Sequence, residues 1–178
     1  MNDGDRAAEW NIRYLEQGAR LIRSLDDALY TDCPRGPFPG GVGAQLRHCI
    51  DFYDCFLDGL AGGRVDYTRR RRDARIETDR ALAGRKLDQL IRALAALGPE
   101  QAAAELRVRT EGAPSDESRT RSTVRRELEF LTSHTIHHYA LIVLLLSMHG
   151  YEIPADLEGF GVAPSTLSHW QETGSNAG

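Results

Sequence analysis

Apolar residues recur at three- and four-residue spacing in four separate stretches of this chain, with polar residues filling the positions between them. That period marks a helix with one buried face. The first stretch runs from Arg6 to Leu29, with Leu15, Ala19, Ile22 and Leu25 on one side. Between Cys33 and Gly43, three prolines and four glycines exclude a continuing helix. A second helix, Val42 to Leu60, stops at Gly62-Gly63, and a third, Asp79 to Leu97, stops at Gly98-Pro99. The last long helix is capped by Ser122 or Thr123 and runs to His149, just before Gly150. Glu105 to Thr110 alternates instead, Leu106 and Val108 against Arg107 and Arg109, and predicts a short strand. Glu111 to Arg121 is polar, contains Gly112 and Pro114, and reads as a loop. The tail from Tyr151 holds Pro154 and Pro164 and one helical turn, Ser165 to Trp170.

Four helices and one short strand predict an all-α fold, a four-helix bundle. The connection between helices two and three, Arg64 to Thr78, is basic and about fifteen residues long, where antiparallel neighbours need only a few. It therefore predicts a long crossover joining two parallel helices. A chain of 178 residues suits a single domain, here 1–178, with a core over about 6–150 and a C-terminal extension over 151–178.

Composition narrows the function classes. A hydrophobic share of 41% and a charged share of 27% are those of a globular protein. The formal charge of −4 supplies no general attraction to nucleic acid or to anionic lipid, so neither is expected as a partner. The longest apolar run, Ala140 to Leu146, falls well short of the roughly 20 residues of a membrane span. The opening residues MNDGDRAAEW have neither a basic start nor an apolar stretch, so no signal peptide is expected. Cys33, Cys49 and Cys55 form an odd set, and the last two lie on different sides of their helix. This predicts a reducing compartment, the cytoplasm.

The candidate chemistry lies in the histidines. His134, His137 and His138 fall within five residues of the last helix. Taking about 100° per residue from His134, the apolar stripe of Val124, Leu128, Leu131, Ile142, Leu145 and Leu146 centres near about 60°. His138 lies almost in mid-stripe and His134 at its edge, one turn apart, as two ligands of one ion require. His137 points about 120° away from the centre. Two inward imidazoles among leucines each bring a donor and an acceptor that need partners, and imidazole suits divalent transition metals. A third ligand must come from another helix, and His48 is the candidate. Asp51, one turn on, could orient the His48 ring as an acceptor. Arg69 to Arg72 form either a solvated loop or a rim over the pocket, with Arg70 and Arg72 binding carboxylates of a substrate.

At these residues the chain resembles the DinB-like superfamily, which includes YfiT-like proteins and mycothiol- and bacillithiol-dependent transferases and isomerases. The matching pieces are GVGAQLRHCIDFYDCF, with the first histidine as R-H-x-x-D, and FLTSHTIHHYALI, with the H-x-x-x-H pair. DYTRRRRDARIETD and FGVAPSTL are similar to segments of one branch, and the resemblance covers residues 6 to 170. It implies a four-helix bundle with a crossover, a metal site of His48, His134 and His138, and a homodimer. Gln45 and Phe52 stand where some relatives carry further histidines. Three neutral imidazoles leave a divalent ion (zinc or nickel, with iron or manganese as further options) at full charge with an open position. A low-molecular-weight thiol bound there would lose its proton and attack an electrophilic substrate. The expected function is a metal-dependent thiol transferase; a metal-dependent hydrolase, with Asp51 as base, and a non-enzymatic, stress-related metal-binding protein remain alternatives.

Overall fold

The computed structural model of the chain describes residues 3–33, 40–113, 115, 118–157 and 159–174. Residues 34–39 of the proline- and glycine-rich stretch, and 114, 116 and 117 of the expected loop, lie outside them. The described chain is mostly helical, in the order α1 (Asp3–Ser24), α2 (Asp27–Thr31), α3 (Val42–Leu60), β1 (Arg64–Asp66), α4 (Arg75–Thr78), α5 (Arg80–Ala95), α6 (Pro99–Ala102), β2 (Glu105–Arg109), β3 (Thr120–Thr123), α7 (Val124–Met148) and α8 (Pro164–Thr173).

The four amphipathic stretches form the long helices, and α3 has the bounds its pattern predicts. The first stretch breaks earlier than its periodicity suggests. Asp26 accepts a hydrogen bond from the Leu29 backbone N–H at 2.8 Å and caps a separate short helix, α2. Asp79 caps α5 through Leu82 N–H at 2.8 Å, and Thr123, one of the two expected caps, starts α7 through Arg126 N–H at 3.2 Å.

The non-helical parts are more ordered than the sequence pattern indicates. Val65 in the basic connection pairs with Val108 in a parallel β1–β2 ladder, and Leu106 faces Ser122 in an antiparallel β2–β3 ladder. The expected single strand is thus the middle of three. Leu106 and Val108 point inward and Glu105 outward, the alternation that identified it.

Helix α1 packs on α5 and α7, and α3 packs on the same two. Leu15, Leu21, Leu46, Ile50, Leu87, Leu128, Leu131 and Leu146 are fully buried among them. Among the described residues α7 is the one helix long and apolar enough to cross a bilayer by length and composition, but its apolar face lies against α1 and α3. A buried polar knot fixes the registers of three helices. The Tyr53 hydroxyl donates to Asn11 Oδ1 at 2.7 Å and lies 3.1 Å from Thr135 Oγ1, and Asn11 Nδ2 donates to the Leu128 carbonyl at 2.9 Å. Thr135 adjoins His134, so this knot sets the height of the histidines along α7.

The tail shares the core. Leu157 and Phe160 are buried, and Phe160 stacks on Tyr139 at 4.3 Å. Gly161 crosses α7 so closely, at φ 75°, that a Cβ would stand 2.8 Å from the Ala140 nitrogen.

Candidate metal centre

Helical spacing builds the site from two facing helices. Gln45, His48 and Phe52 project from one side of α3, and Phe130, His134 and His138 from one side of α7. The His48 ring lies 5.1 Å from that of His134 and 4.5 Å from that of His138, and the α7 pair is 4.6 Å apart. One ligand-capable nitrogen from each falls within 4.8 Å of the others. Among the described residues this group holds three histidines and no cysteine or carboxylate. It could hold a metal ion.

The polar contacts of the rings favour that use. His138 Nδ1 lies 2.6 Å from Gln45 Oε1. An amide oxygen only accepts, so the ring proton sits on Nδ1 and Nε2 keeps its lone pair free for a ligand bond. His134 Nε2 is buried with no hydrogen-bond partner among the described residues, a position a metal ion would satisfy. Burial holds all three imidazoles neutral. It pushes His134 down to about 4, with His48 adding to the effect, and His138 down to about 3, with His134 adding. His48 is lowered by burial and then by the Arg70 and Arg47 charges. Neutral imidazole is the form that binds metal, so no proton need be displaced near neutral pH.

Gln45 was visible in the sequence only as a residue standing where relatives carry a histidine. Its position three residues before His48, on the same helix face, is the signal that could have assigned it a role. Gln45→Leu removes the acceptor that orients His138. We expect metal affinity to fall about ten- to a hundredfold, read by competition with a chromophoric chelator. Unchanged affinity would show that the packing of α7 alone sets the ring.

The other sequence candidates are distributed around this group. His137 is exposed, as its helical angle predicts, with its ring 5.1 Å from that of His138. Asp51 is 2% exposed and accepts from Arg47 Nη1 at 2.9 Å; it reaches His48 only through its charge. Arg47 also donates to Glu77 at 2.9 Å. The arginine run divides. Arg71 pairs with Asp58 at 2.7 Å on the surface, and Arg72 is exposed at φ 52°. Arg70 turns inward, 6% exposed, with its guanidinium carbon 4.4 Å over the Phe52 ring. Cys49 is buried and its thiol raised by desolvation, and Cys55 is pushed up to about 11. Neither joins the histidine group.

An aromatic wall completes the site, and periodicity alone could not assign it. Phe52 lies 4.2 Å from His134 and 5.1 Å from Tyr67, and Phe130 lies 5.6 Å from both Tyr67 and His134. These rings exclude water from one side of the group and strengthen charge interactions within it.

A family model described as the DinB superfamily matches residues 15–142, a span that includes all three histidines. No curated protein and no solved structure matches the chain.

Proposed function

The chain belongs to the DinB superfamily, and we propose that it is a metal-dependent transferase acting with a low-molecular-weight thiol. His48, His134 and His138 are the ligands in this reading, with zinc or nickel as the ion and iron or manganese as further options. The observation that carries it is the all-histidine composition of the group, with no carboxylate or thiolate among its ligand atoms in the described residues. An ion bound there supplies Lewis acidity that lowers the proton affinity of a thiol. Gln45 then orients His138, and the Phe52, Tyr67 and Phe130 wall keeps water from one side. Arg70 and Arg72 supply cationic charge toward a substrate. A hydrolase would need a general base, and Asp51 is engaged by Arg47 instead, which favours transfer to a thiol-derived nucleophile.

The same reading takes the long helices as a four-helix bundle with a crossover from α3 to α5. Support comes from α1 and α3 each packing on both α5 and α7, and from the parallel run of β1 and β2, which follow α3 and α5 in the chain. A cytoplasmic location accords with three free cysteines. Thioether formation on mixing metal-loaded protein with thiols and an electrophile tests the function. Ester or amide turnover without thiol would replace it with the hydrolase reading. Tight metal binding with no turnover would leave a metal-binding protein.

We also propose a homodimer. Phe52 and Phe56 are buried in the core. Leu144 and Met148 remain 54% and 58% exposed on α7. Sedimentation should give twice the 19.8 kDa chain mass, and a species of that single mass at micromolar concentration would contradict it.

A further inference from the structure

We propose that the Nε–Nη2 edge of Arg70 seats a carboxylate of the substrate, and that Glu111 holds this place when no ligand is bound. The proposal rests on the reading of the histidine group as the reacting centre, because only one ring separates the two. Phe52 carries the Arg70 guanidinium on one side at 4.4 Å and contacts His134 and His48 at 4.2 and 5.0 Å.

The hydrogen-bond inventory of Arg70 is incomplete in an informative way. Nη1 donates to the Tyr67 carbonyl, Nη2 donates to Glu111 Oε1 at 2.7 Å, and Nε is buried with no partner among the described residues. Nε and Nη2 lie on one edge of the guanidinium as two parallel donors, the geometry that matches both oxygens of a carboxylate. The complete form occurs in this protein at Arg75, where Nε and Nη2 reach Asp73 Oδ1 and Oδ2 at 2.9 and 2.7 Å. Glu111 fills half of that arrangement. It is attached just beyond β2 and delivers one oxygen, leaving a buried N–H unsatisfied. A carboxylate on a free small molecule has no such tether and can take both donors.

Exposure decides which partner yields. The Arg70 side chain is 6% exposed and held under Phe52, whereas that of Glu111 is 66% exposed. An exposed carboxylate exchanges its ion pair for water at little cost, while a buried guanidinium cannot. The site therefore selects a small organic carboxylate, carried either by the thiol or by the electrophile.

Succinate binding to the metal-free full chain, followed by calorimetry at low salt, tests the seat without any metal. Glu111→Gln keeps the shape of the side chain and removes the competing charge. It should tighten succinate binding about fivefold or more. Arg70→Lys in the Glu111→Gln background keeps a charge and loses the fork, and should weaken binding about tenfold or more, with the fold checked by circular dichroism. No succinate binding by Glu111→Gln, or an affinity equal to that of the unsubstituted chain, would overturn the proposal. Failure of the histidine reading would appear separately, as an absence of metal binding with the succinate result intact. In cobalt-loaded protein, 3-mercaptopropionate and 2-mercaptoethanol distinguish the sources. A thiol-borne carboxylate makes the first titrate at lower concentration, and more so in Glu111→Gln. An electrophile-borne carboxylate leaves the two thiols alike in both proteins.

Discussion

Replacing His48, His134 or His138 singly with alanine is expected to abolish metal retention, whereas His137→Ala should leave it intact. The expectation follows from the placement of nitrogens: three fall within 4.8 Å of one another, and His137 lies on the exposed side of the same helix. Metal-binding free energy in sites of this type is on the order of 10 kcal/mol shared among few ligands, so loss of one should weaken affinity by about a hundredfold or more. Elemental analysis after dialysis reads the effect directly, from about one ion per chain to a small fraction of one. Because each imidazole is held neutral by burial, an alanine there does not unfold the site by releasing a charge, and circular dichroism should stay close to that of the unsubstituted chain. Equal losses at His137 and His138 would mean that α7 is rotated from the orientation that turns His134 and His138 toward His48.

A large loss of stability is expected on substitution of Gly43. This glycine lies two residues before Gln45, where the start of α3 meets α4. A Cβ there would stand 2.1 Å from the Glu77 carbonyl oxygen and 2.9 Å from Tyr30 Cε1. The oxygen belongs to backbone and cannot swing aside. Helix α4 is further tied by the Tyr30 hydroxyl donating to the Ile76 carbonyl at 2.6 Å and by Arg47 Nε on Glu77 at 2.9 Å. Gly43→Ala must therefore displace α4 or lift α3, and should cost about 3 kcal/mol or more in urea unfolding. Gly112→Ala, with nothing among the described residues within 4 Å of its added carbon, should change stability by less than about 0.5 kcal/mol. Similar values for the two would refute the close approach of α3 and α4.

The helices were legible because their information is local. Alternation of apolar and polar residues fixes which side of α3 and α7 is buried, and the four-residue step from His134 to His138 fixes that both rings face inward. His137 was separable by the same arithmetic. His48 is the candidate third ligand from the residues alone and the resemblance supports it, but no local rule states which helices face one another. The three-stranded sheet was legible only at Leu106 and Val108; β1 is three residues long and β3 four, too short to show a period. Asp51 illustrates the opposite limit. Its position one turn from His48 suggested an orienting bond, but Arg47, also one turn away, takes its carboxylate. Gln45, Phe52 and Phe130 are ordinary helix residues until tertiary packing brings them to the rings. Arg70 differs from its arginine neighbours only in the turn that directs it inward.

Cobalt(II) titration of the metal-free protein tests whether His48, His134 and His138 hold one ion with an open position. The expected result is saturation near one ion per chain, visible bands of a nitrogen-ligated ion, and no thiolate charge-transfer absorption until a small thiol is added. Charge-transfer absorption present without added thiol and abolished by Cys49→Ser or Cys55→Ser, or no saturable cobalt binding at all, would contradict it.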